Sequence, residues 1–306
     1  MSVYVLTHAS ASAPALTGAA GSLIGVLDFC LVTTLGWTKS GSGNVVAYRQ
    51  PSGTNQFYLR VDDSSTTAAR VRMYETLTDV AAPTGTNPMP TDAMISGGGY
   101  WNKGSAGSTQ RPWGFYSDGK IFYLVLNVGG TAPNWDTSTN PTTYVYYFGD
   151  ALSYKSGDAY GTYLLADSSA NASSNATSVV TAATSTNSGH FVMRPHTQIG
   201  SGVLANKYFD YVASISSTTF GVGSVAYPGP VTGGLEMSRV FAGEAAGRRA
   251  RLQGMWAPLH PTTMSVNPGD TFSGASGSEL NGRTFVFHRI TGSAQVVFET
   301  SDTWSS

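Results

Sequence analysis

From Trp37 onward the chain is cut into short runs of Val, Tyr, Phe and Ile by clusters of Gly, Ser, Asn, Asp and Pro. That punctuation constrains the fold more than any other feature. "NVVAYRQ", "QFYLRVD" and "ARVRMYETL" are long enough for strands and too short for independently stable helices. "PSGTN" and "DDSSTT" separate them with hairpin-loop composition. In the third run Val71 and Met73 alternate with Arg70 and Arg72, which turns one face to a core and the other to water. Pro83, Pro88 and Pro90 forbid a central strand in the loop that follows. A second meander begins at "GYWNKG" and "RPWGFYSDGKIFYLVLNV", where Asp118-Gly119 predicts a two-residue hairpin turn. In "YVYY" Tyr144 and Tyr146 share one face while Val145 and Tyr147 share the other, so both faces of that strand are expected to be covered.

Only one segment reads as a helix. "TGAAGSLIGVLDFCLVTTLGW" spaces Leu23, Val26, Leu27, Cys30 and Leu31 at helical intervals over residues 20–33, with Ser22 as the candidate cap. The fold class that follows is mainly β: antiparallel sandwich or barrel-like sheets with one short N-terminal helix. The low-complexity tract 167–188, "DSSANASSNATSVVTAATSTNS", suggests a division into residues 1–150, a helix plus β meander, and 151–306, a second β-rich part. One continuous domain is the alternative.

Charge narrows the function classes. Seventeen basic and eighteen acidic residues give a formal net charge of −1, and charged residues make up only 11% of the chain. Basic residues are dispersed apart from Arg248, Arg249 and Arg251, so no nucleic-acid footprint emerges. The lone Cys30, in an apolar run, reads as a buried small hydrophobe. Histidines at 8, 190, 196, 260 and 288 form no metal-ligand spacing, and no phosphate loop, dinucleotide fingerprint or nucleophile elbow occurs. We therefore expect no enzyme activity, no cofactor and no metal. The amino terminus lacks the basic and apolar regions of a secretory signal and no apolar run comfortably spans a bilayer, which predicts a soluble protein.

Two groups of residues stand out. Arg60, Asp62, Asp63, Arg70 and Arg72 crowd around one short loop. Adjacent Asp62 and Asp63 point to opposite faces of a strand and so cannot share a proton, which favours charges that fix the hairpin, or an interface with a neighbour, over acid–base chemistry. Tyr100, Trp101, Trp113 and Tyr116 lie near turns and read as candidate surface aromatics, able to stack on sugars or to anchor protein contacts.

The order "PALTGAAGSLIGVLDFCLV", "AYRQPSGTNQFYLRVDDSSTTAARVRMYETLTDV", "GGGYWNKG", "RPWGFYSDGKIFYL", "YPGPVTGGLEMSRV", "MWAPLH" and "GRTFVFHRI" resembles a family of tailed-bacteriophage and prophage virion structural proteins. The resemblance implies a multicopy virion component, made in the bacterial host cytoplasm and placed in the tail, baseplate or tail tip. Its partners would be copies of itself and other virion proteins. A receptor- or glycan-binding protein facing a host-surface glycan, and a capsid or head–tail accessory protein, are the alternatives. The family offers no catalytic residues to transfer.

Overall fold

The computed structural model describes residues 2–104, 106–138, 141–170, 189–199, 208–211, 234–244, 247–258, 266–291 and 294–304. Asn171 and Asn175 of the low-complexity tract lie outside the described residues.

Strand β1 (Tyr4–Thr7) precedes the helix α1 (Ser22–Leu27), which widens into a π-helical turn over Asp28–Thr34. The β-branched tail Val32-Thr33-Thr34 fills that turn, where the Thr34 hydroxyl donates to the Phe29 carbonyl at 2.8 Å. A meander follows through β2 (Thr38–Ser42), β3 (Val45–Arg49), β4 (Tyr58–Asp62) and β5 (Ala68–Tyr74). The exposed ribbon β6 (Thr76–Asp79) and β7 (Thr84–Thr86) precedes β8 (Gly99–Asn102), which pairs with β5 to complete a five-stranded sheet ordered β2-β3-β4-β5-β8. The prolines at 83, 88 and 90 all fall outside its central strands.

Strands β9 (Trp113–Ser117), β10 (Phe122–Asn127) and β11 (Thr143–Asp150) form a second meander. After the two-residue β12 (Leu152–Ser153), β13 (Thr162–Ala166) and β14 (Gly189–Val192) complete a six-stranded sheet ordered β1-β9-β10-β11-β13-β14. The last sheet takes β15 (Tyr208–Tyr211), β16 (Met237–Glu244), β17 (Gly247–Pro258), β18 (Thr271–Ser273), β19 (Thr284–Thr291) and β20 (Ala294–Glu299), in the order β15-β16-β17-β20-β19-β18, with β12 on β17. All named pairings are antiparallel, and among the described residues no sheet closes into a barrel.

The three sheets stack as layers. On one face of the six-stranded sheet, Phe115, Phe122, Leu124, Tyr144, Tyr146 and Leu164 pack with α1 and with Val46, Leu59, Val61 and Val71 of the five-stranded sheet. On its other face, Tyr116, Tyr123, Val125, Val145, Tyr147 and Leu165 pack against Val240, Leu252, Met255, Val286, Val296 and Phe298 of the seven-stranded sheet. The central sheet is thus covered on both sides, as "YVYY" predicts. Burial on both faces also explains why "FYLVLN" has no polar alternation.

Two expectations need correction. The β9–β10 connection is a four-residue loop rather than a two-residue hairpin. Asp118 Oδ1 accepts from the Lys120 and Ile121 N–H groups at 2.9 and 3.0 Å, while only Gly119 takes a left-handed φ of 90°. β11, which ends at residue 150, pairs directly with β13, so one sheet extends across the position of the expected division. Ser22 does not cap the helix: its hydroxyl donates to the Thr17 carbonyl at 2.6 Å, and the cap arrives from Asp63.

Candidate functional site

The charged block at residues 53–80 folds into the β4–β5 hairpin. Leu59, Val61, Val71 and Met73 enter the core, which leaves Arg60, Asp62, Arg70 and Arg72 on the opposite face. The register sets Arg60 opposite Arg72 and Asp62 opposite Arg70. Two guanidinium groups directly across a ladder repel, and each is drawn off to its own acceptors. Arg60 Nε donates to the Val80 carbonyl at 2.7 Å, and its Nη2 lies 3.6 Å from Asp62 Oδ2. Arg72 Nη2 donates to Asp92 Oδ1 at 2.7 Å and to the Ile95 carbonyl at 3.2 Å. Arg70 Nη1 donates to the carbonyls of Ser96 and Gly98, with its guanidinium 4.0 Å from the centre of the Tyr100 ring. The three arginines therefore hold the loop 80–98 against the hairpin. Hydrogen bonding to Arg72 and the Gly97 N–H, together with the arginine charge, keeps the Asp92 carboxyl below the usual range.

Asp62 and Asp63 part company as their adjacency requires. Asp62 stays on the outer face and accepts from the Ser64 N–H at 3.2 Å, which closes the turn. Asp63 turns inward and is fully buried. Its Oδ2 accepts from the Leu23 N–H at 2.8 Å and the Ile24 N–H at 3.4 Å, and so caps α1 from forty positions away. Its Oδ1 meets the ammonium of Lys103, also fully buried. Burial pushes the Asp63 carboxyl up, against the lowering pull of Lys103 and the two N–H donors. Arg60, Arg72 and Asp63 are thus internal ties, covered by the loop and the core; Asp62 and Arg70 remain partly exposed.

The aromatic group is corrected more sharply. Trp101, Trp113 and Tyr116 are buried, and only Tyr100 is half exposed, beneath Arg70. Trp101 stacks on Tyr146 with ring centres 5.3 Å apart, and its Nε1 donates to the Leu165 carbonyl at 2.7 Å. Trp113 Nε1 donates to the Pro14 carbonyl at 3.1 Å. Tyr116 stacks on Phe298 at 4.7 Å, and its hydroxyl lies 2.7 Å from Nε2 of buried His288. Their turn-like neighbours are polar, yet the strands that bear them are sandwiched between layers.

Sequence reading missed two further ties. Asp158 accepts a bidentate contact from Arg249, with Nε–Oδ2 at 2.8 Å and Nη2–Oδ1 at 2.7 Å, so the arginine cluster of β17 is partly consumed within the subunit. Arg251 is also buried, and Arg248 lies 4.9 Å from the Phe241 ring centre. Asp167 Oδ2 accepts from Tyr146 Oη at 2.9 Å and Asn102 Nδ2 at 2.7 Å inside the core. The partners in each tie lie far apart in the chain, and a linear pattern does not bring them together. Among the described residues no three His, Cys, Asp or Glu side chains gather to hold a metal ion. Among them, too, no helix is long and apolar enough to cross a membrane.

No family model matches the chain, and a search of curated proteins finds no match.

Proposed function

We propose that this chain is a structural subunit of a tailed-bacteriophage particle, a multicopy tail or baseplate component that works by protein–protein assembly. The observation that carries the reading is the way its charged side chains are spent. Arg60, Arg72, Asp63, Lys103, Asp158 and Arg249 are all covered, by the loop 80–98 or by the core, and fasten loops and layers to one another. Such a subunit is stiff, and it offers neighbours a surface of strand edges, hydroxyls and glycine. Among the described residues β1 pairs only with β9 in the central sheet, and Tyr4 and Val5 of that edge strand are exposed. An open edge is a ready template for a neighbouring chain. The sequence resemblance to virion structural proteins points the same way. The glycan-binding alternative leaned on loop aromatics, and burial of Trp101, Trp113 and Tyr116 leaves it only Tyr100 of the four.

Quantitative mass spectrometry of purified particles tests the proposal. The chain should co-purify with tail proteins at a fixed multicopy ratio. Recovery only in the free protein fraction would refute the proposal. The double variant Tyr4→Lys with Val5→Lys should leave the isolated chain folded while lowering its incorporation.

A further inference from the structure

We propose that Lys103 and Asp63 condense into an intramolecular amide, an isopeptide crosslink that ties the turn after β4 to the end of β8. The two side chains contact each other with neither exposed to solvent. Their backbones are fixed independently of the pair. The Asp63 N–H donates to the Asn44 carbonyl at 2.7 Å, its carbonyl accepts from the Gly21 N–H at 2.9 Å, and the Lys103 N–H donates to the Thr67 carbonyl at 2.9 Å. Amine and carboxyl are thus held together without freedom to drift apart. Well-oriented intramolecular partners reach effective concentrations of about 10⁵–10⁸ M, enough to offset the cost of forming an amide in water.

The surrounding groups suit each stage of the reaction. Within the ion pair one proton passes from Nζ to Oδ1, which gives a neutral amine and a carboxylic acid. Burial, which raises the Asp63 carboxyl, favours that neutral form. The Nζ lone pair then attacks Cγ and the Nζ–Cγ bond forms. The carbonyl electron pair moves onto Oδ2, where the Leu23 and Ile24 N–H groups already point at 2.8 and 3.4 Å. A second proton passes from Nζ to Oδ1, the Cγ–Oδ1 bond breaks, and Oδ1 leaves as water. The electron pair on Oδ2 restores the carbonyl. Two protons and one oxygen depart, and no co-reactant is required.

The product also fits the site better than the reactants. Nζ donates to the Ala19 carbonyl at 2.6 Å, and the one remaining amide N–H can keep that bond. Oδ2, now the amide oxygen, keeps both backbone donors. Only Oδ1, the atom that faces Lys103, is lost. Two buried charges, which are costly to desolvate, become one neutral and fully hydrogen-bonded group.

Peptide mapping by tandem mass spectrometry of the purified full chain tests this. The expected result is a branched peptide joining the segments that contain Asp63 and Lys103, lighter than their sum by one water, with no tryptic cleavage after Lys103. The variant Lys103→Arg keeps the charge but should yield only linear peptides. Asp63→Asn, if it links, should lose ammonia instead of water. Linear wild-type peptides at full mass, with cleavage after Lys103, would overturn the proposal whatever the variants do.

Discussion

Arg249 on β17 grips Asp158, in the turn before β13, through two parallel hydrogen bonds with both side chains almost fully buried. Ser153 Oγ and Gln198 Nε2 add donors to the same carboxylate at 2.8 and 3.1 Å, so the seven-stranded sheet is fastened to the rim of the central one.

Breaking that pair from one side strands a buried charge. Asp158→Ala or Arg249→Ala should each cost about 3–5 kcal/mol in denaturant unfolding. Burial alone would raise the Asp158 carboxyl, but Arg249 and Ser153 outweigh it and hold it at about 2, against 3.8 without such partners. The folded state therefore binds this proton less readily than the unfolded chain. Its contribution, about 2 kcal/mol, is complete above pH 3.8 and is lost as pH falls toward 2. Asp158→Asn should remove that acid limb from the stability profile.

His288 predicts a second limb at higher pH. Burial pushes its imidazole down from 6.5 to about 3, and Nδ1 finds no hydrogen-bond partner among the described residues. Between those values the unfolded chain binds a proton that the folded chain refuses, so stability is full above pH 6.5 and falls as pH drops through the window. The loss should reach about 2 kcal/mol at pH 5. Unfolding midpoints of His288→Phe, followed from pH 7 to 4, should lack this slope while Asp158 variants retain it.

Gly254 bends β17 with φ 75°, and a Cβ there would come within 2.2 Å of the Trp304 indole. That ring seals the second core, and its Nε1 donates to the Glu299 carbonyl at 2.9 Å. Gly254→Ala combines a left-handed backbone with overpacking and should cost at least about 2 kcal/mol by thermal or denaturant unfolding. Adding Trp304→Ala should recover part of the backbone substitution's effect, because the collision is gone.

Arg60 and Arg70 anchor the loop 80–98 through the carbonyls of Val80, Ser96 and Gly98. The double variant Arg60→Ala with Arg70→Ala should keep the three-layer core, lose about 1–3 kcal/mol, and become sensitive to limited proteolysis within that loop. Under the assembly proposal it should also enter particles poorly. Normal assembly with failed host adsorption would instead mark the outer face as a receptor site.

The strands were legible because hairpin loops and alternation leave a local trace; "ARVRMYETL" carries both. The three-layer stack was not, since a strand buried on both faces, such as "FYLVLN", loses the alternation that reveals a face. Trp101 and Lys103 sit in "GYWNKG", whose glycines and asparagine suggest a surface turn, although both side chains are fully buried. The helix cap was hidden for a different reason. Asp63 lies forty positions from Leu23 and meets it only through the tertiary fold, while Ser22 offered a closer and misleading candidate.

Assembly into a particle is the claim on which the functional account rests, and cryo-electron microscopy of intact tailed particles tests it most directly. The account predicts density for the three stacked sheets repeated around the tail or baseplate axis, with neighbouring copies in contact. Particles whose tail and baseplate density is fully explained by other chains would contradict it.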